Sequence, residues 1–99
     1  MNTLEKLEIL SNNCGDRTEL DRILSQLLNV VLARHRQKLA GYDLDISKFE
    51  QTYNLDSMQF QEQFEGGMLG DEMDFFEWFS LCELRRDILV KISKLEQAL

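Results

Sequence analysis

Four carboxylates, Asp71, Glu72, Asp74 and Glu77, stand within "DEMDFFE" and are the densest group of potential metal ligands in the chain. A carboxylate-bridged di-metal site in a helical bundle also needs Glu-x-x-His pairs on facing helices, and the single histidine, His35, has no such companion. A calcium loop needs ligands at alternate positions closed by a distant glutamate, which this stretch lacks. The acids suit a helix N-terminus instead, where each contributes ~0.3–1 kcal/mol against the macrodipole. His35 falls on an apolar helical stripe between Arg34 and Arg36, as a core or interface histidine would. Cys14 and Cys82 have no neighbouring cysteine, so neither a zinc motif nor a redox CxxC exists, and no disulfide is expected in a reducing compartment. No serine or cysteine sits in the context of a nucleophile. The expectation is a protein without catalytic residues, metal or cofactor, hence not an enzyme.

The same region is rich in rings. "FEGGMLGDEMDFFEW", residues 64–78, holds four aromatics, two methionines, three glycines and five carboxylates. Aromatics on a helix normally belong to a core. Phe75, Phe76, Trp78 and Phe79, however, spread over nearly half of a helix circumference and cannot all face one way. The expected surplus, fringed by acids, has the make-up of a protein-binding surface: rings anchor and charges orient a basic partner.

Charge supports that assignment. Residues 43–83 carry eleven acids against one base, Lys48, a net of −10; the whole chain is −7, so the remainder is +3. Such an acidic block repels phosphates and attracts basic surfaces. "ARHRQK" is the main basic cluster; Arg34, Arg36 and Lys38 are the candidates for any nucleic-acid contact, although at a sequence pI of about 4.6 ion pairing with the opposite helix or solvation is the favoured explanation, and DNA binding is expected to be weak or absent.

These residues must be positioned by helices. The chain has 99 residues, no proline and five glycines, with 43% apolar and 29% charged residues, which fits one ordered domain (1–99) of long helices. No apolar run is long enough to cross a bilayer, and "MNTLEKLEIL" has acids where a signal peptide needs a basic flank, so a cytoplasmic location without membrane partners is expected. Residues 1–15 read as a weak helix or loose arm ending in "SNNCG". From Leu20 a stripe runs through Leu24, Leu27, Val31, His35, Leu39, Tyr42, Ile46, Phe49 and Tyr53, predicting a helix over about 18–53 capped by Asp16 or Thr18. Gly41 could bend it; the stripe keeps its phase across Gly41, which favours continuity.

"YNLDS" reads as a stop at Asn54 and a restart capped by Asp56 or Ser57, giving a short helix over about 57–65 with Met58 or Phe60, and Phe64, inward. Asp71 is the expected cap of a last helix over about 72–97, whose later seam is Leu84, Ile88, Ile92, Leu95 and Leu99. The expected architecture is all-α, an elongated antiparallel helical hairpin, with surplus apolar width covered by a second copy in a homodimer.

The run "FEQTYNLDSMQFQEQ" followed by "FEGGMLGDEMDFFEWFSL" resembles a family of small bacterial and archaeal antitoxin-like proteins encoded beside ribonuclease-type toxins, over roughly residues 18–97. Two departures stand out: Tyr53-Asn54-Leu55 replaces a tyrosine-glycine-methionine turn, and Gly67-Met68 stands where glutamate is frequent. The resemblance implies a non-catalytic antitoxin that neutralises a basic ribonuclease-type toxin through Phe64, Leu69, Gly70, Asp71, Asp74, Phe75, Phe76, Glu77 and Trp78. The alternative is a dimeric structural or regulatory adaptor whose acidic block mimics nucleic acid.

Overall fold

The computed structural model describes all of residues 1–99 and is entirely helical: α1 (Thr3–Asn13), α2 (Arg17–Tyr53), α3 (Ser57–Glu65) and α4 (Met73–Ala98). It is a rod of 60 × 24 × 17 Å in which α4 folds back antiparallel along α2, with α3 bridging the turn.

Local chemistry sets the ends. Asp16 accepts from the Glu19 N–H at 2.8 Å, while the Glu19 carboxylate accepts from the Gly15 N–H at 2.9 Å, so two N–H groups that no helical carbonyl can reach are satisfied. Asn54 closes α2 in the left-handed region (φ 49°), which asparagine tolerates better than most residues. Asp56 caps α3 through the Gln59 N–H. The expected cap of α4 is corrected: the helix begins one residue later, with Glu72 at the cap position and no side-chain cap bond, so Asp71 lies outside it. The Phe75 N–H bonds the Glu72 carbonyl, starting the first turn where Phe75 meets Tyr53 and Phe60.

α2 is continuous through Gly41, and nothing lies within 4 Å of where a Cβ would be. Gly41→Ala is therefore expected to stabilise the protein by about 0.5–1 kcal/mol, read as a higher urea midpoint at unchanged slope.

Only seven residues are buried, in two clusters. Ile46, Phe60, Trp78 and Cys82 form one where α2, α3 and α4 meet, and Leu32, Ile88 and Ile92 form the other near the far end of α4. Phe60, not Met58, is the inward residue of α3: Met58 is exposed. The expected stripe of α2 holds from His35 to Tyr53, and Leu20 and Leu24 are also half-buried; it fails at Leu27 and Val31. Leu32 packs inward, whereas Leu27 (54% exposed) and Val31 (38% exposed) face solvent. The later α4 seam narrows similarly, because Leu84 and Leu99 are about half exposed. α1 is a formed helix, capped by Asn2, with no buried residue.

Candidate functional site

The acidic end of the rod is built around one stacked pair. Trp78 lies flat on Phe60 (centroids 3.8 Å apart, 5° between planes), and Phe49 and Tyr53 of α2 flank the indole at 5.8 and 6.0 Å. The indole Nε1–H donates to the Ser57 hydroxyl at 3.0 Å, and the Ser57 N–H donates to Glu50 at 2.9 Å. Trp78 therefore joins α2, α3 and α4 and has no exposed surface. The expectation that it anchors a partner is corrected; the ring is spent on the fold.

The other expected residues divide. Phe64 and Phe75 are half-buried: Phe64 packs against Phe60 and Phe79 and perpendicular to Phe76, and Phe75 packs against Tyr53 and Phe60. Leu69 is half-buried against the same core. Gly70, Asp71, Asp74 and Glu77 are exposed, and Phe76 is 48% exposed. Two residues outside the expected set complete the surface: Met73 is 81% exposed one turn before Phe76, on the same side of α4, and Met68 is 76% exposed in the connecting loop. At 100° per residue Met73 and Phe76 lie roughly 140° and 160° round α4 from Trp78, so enclosing Trp78 turns both outward.

The loop that presents this surface turns on two glycines. Gly66 ends α3 with its N–H on the Glu62 carbonyl; a Cβ there would meet that oxygen at 3.2 Å. Gly67 adopts φ +71°, which L side chains rarely take. Asp71, Glu72, Asp74 and Glu77 are exposed along the end of the loop and the first turns of α4, and no three acidic, histidine or cysteine side chains come together there as metal ligands would.

Asp74 also braces the fold. It accepts from the Tyr53 hydroxyl at 2.6 Å, fastening the first turn of α4 to the last turn of α2. That bond, reinforced by desolvation and by the charges of Asp74 and Glu72, raises the Tyr53 phenol from 10.0 to about 12. Because the folded-state value is the higher one, its contribution to stability is complete below pH 10 and is lost as pH rises from 10 through about 12. Tyr53→Phe is expected to remove the latest phenol ionisation from an alkaline absorbance titration and to flatten the loss of stability across that window.

A second concavity, about 460 Å³, lies between α2, α3 and α4 and is lined by Asp43, Glu50, Ser57, Cys82, Arg85 and Arg86 among others. Its charges are already engaged. Arg85 donates to Asp43 at 2.6 Å, Arg86 donates to Glu83 and Gln61, and Glu50 holds Ser57. Burial pushes the Cys82 thiol up, against the lowering pull of Ser57, so it stays protonated at neutral pH. The basic cluster lies well along α2: Arg34, Arg36 and Lys38 are exposed, and Arg36 pairs with Glu96 at 3.4 Å.

No family model, curated protein or solved structure matches the chain.

Proposed function

We propose that this protein is a non-catalytic binding subunit, the antitoxin-like member of a pair, which neutralises a basic ribonuclease-type protein by docking the α3–α4 corner onto it as a homodimer. The single observation that carries this reading is that Phe76 and Met73, one turn apart on α4, and Met68 in the loop before it are exposed on the same stretch of chain as the exposed Asp71, Glu72 and Glu77. A ring and flexible thioethers adapt to a partner pocket, and the carboxylates orient a cationic surface during approach. The acids of residues 43–83 lie on the C-terminal half of α2, on α3 and on the start of α4, so the net −10 is concentrated at the end of the rod that bears the patch.

Asp74 is tied to Tyr53, so the acids free to steer are Asp71, Glu72 and Glu77. Co-expression with the product of the adjacent reading frame tests the proposal: a stable complex and rescued growth are expected. Absence of both overturns it.

A further inference from the structure

The opposite end of the rod poses a different problem. Eleven leucine, isoleucine and valine side chains precede Leu32, and none of them is buried. The cause is geometric. Leu32 already packs on Ile88 and Ile92, and Arg36 already reaches Glu96, so α4 ends before it can cover the start of α2. Residues 17 to about 28 run past it by roughly 18 Å at 1.5 Å per residue. α1 does not make up the deficit: Leu4, Leu7 and Ile9 are themselves 76%, 45% and 46% exposed.

The apolar residues of this arm are ordered. Leu20, Leu24, Leu27 and Val31 step by four, three and four, a heptad seam, and Arg34 and Lys38 continue it in the same phase. At 100° per residue the seam lies roughly 80° round the helix from the face that meets α4, which accounts for Leu27 and Val31 being exposed while Leu32 is enclosed.

We infer that the chain pairs with a second copy of itself along this seam, antiparallel and centred near Leu27, so that Asp16 and Glu19 of each copy face Lys38 and Arg34 of the other. The inference rests on the dimeric part of the proposed function and is independent of what the acidic corner binds. Three observations select a second copy as the occupant.

Charge decides where two identical chains can meet. The −10 end repels its own kind, whereas residues 1–31 carry five acids and three bases and approach at little electrostatic cost. Complementarity then sets direction. An antiparallel pairing about Leu27 brings Asp16 level with Lys38 and Leu27 level with itself, with Glu19 beside Arg34. Arg34 and Lys38 have no ion pair within their own chain. Size agrees as well: a standard interface takes about 20–30 residues a side, and monomers rarely expose more than a few hundred Å² of contiguous apolar surface. Here Leu4, Leu7, Ile9, Leu27, Val30 and Val31 are exposed, and Leu20 and Leu24 of the seam are half-buried with surface still to cover.

Light scattering on the full chain, with helicity and melting temperature followed in parallel, tests the interface. The wild type is expected at twice 11.7 kDa. Leu27→Glu, which sets like charges against each other on the two-fold axis, is expected to give a monomer of unchanged helicity. Arg34→Glu/Lys38→Glu is expected to weaken the dimer at least tenfold. Adding Asp16→Asn and Glu19→Gln, which remove charge and keep both cap bonds, is expected to restore it. Phe76→Asp is expected to leave the dimer intact. A wild type that stays at 11.7 kDa up to ~100 µM overturns both the dimer and this interface. A dimer that survives Leu27→Glu, or that is lost with Phe76→Asp, overturns the interface alone.

Discussion

Trp78→Ala is expected to destabilise the protein by about 3–5 kcal/mol and to lower its melting temperature by on the order of 15–30 °C. The expectation follows from how little else is buried. With seven enclosed residues in 99, the rod spreads its packing thinly, and one of its two clusters has the stacked Trp78–Phe60 pair at its centre. Removing the indole empties that centre, strips Phe60 of its partner and takes the donor from Ser57. For a domain whose whole stability lies near 5–15 kcal/mol, the variant is close to unfolding at room temperature. Trp78→Phe keeps most of the stack and loses the Nε1–H bond, so a smaller loss, about 1–2 kcal/mol, is expected. Urea denaturation of the two variants separates ring from hydrogen bond. A loss below about 1 kcal/mol for Trp78→Ala contradicts this account of the core.

The elements themselves are legible in the sequence because their boundaries are local. Asp16, Asn54, Asp56 and Gly66 each act within a turn of where they stand, and the observed α2, α3 and α4 fall within a residue or so of the spans expected from those caps and from periodicity. What periodicity cannot show is which side of a helix meets which neighbour. Leu27 and Val31 lie on a perfectly good apolar stripe, yet whether it is interior depends on which side of α2 meets α4, and that is a tertiary fact. Likewise Trp78 and Phe76 are equally aromatic and two positions apart. Only the placement of Phe60, Phe49 and Tyr53 around one of them sends Trp78 into the core and leaves Phe76 half exposed. Met73 and Met68 are hidden from a reading of the sequence because a methionine beside aromatics looks like core; here the core is complete without them.

Phe76→Asp is expected to abolish partner binding while leaving the fold in place, the reverse of Trp78→Ala. Phe64 is the one aromatic neighbour of the Phe76 ring, in a perpendicular pair, so loss of Phe76 is expected to lower stability by about 1 kcal/mol. An exposed ring that fills a partner pocket is worth at least ~2 kcal/mol there, a roughly 30-fold or greater loss of affinity. Met73→Ala on the same face is expected to act in the same direction and less strongly. Asp71→Asn/Glu77→Gln is expected to slow association at low salt and to leave dissociation nearly unchanged, since both acids are exposed and act at a distance. Stopped-flow association and dissociation rates distinguish the two kinds of loss.

The most direct measurement is a calorimetric titration of the purified chain into the product of the adjacent reading frame, with wild type and Phe76→Asp compared at equal helicity. The account predicts a tight complex for the wild type and at least ~30-fold weaker binding for the variant. Equal affinity for the two proteins, or no heat from either, contradicts it.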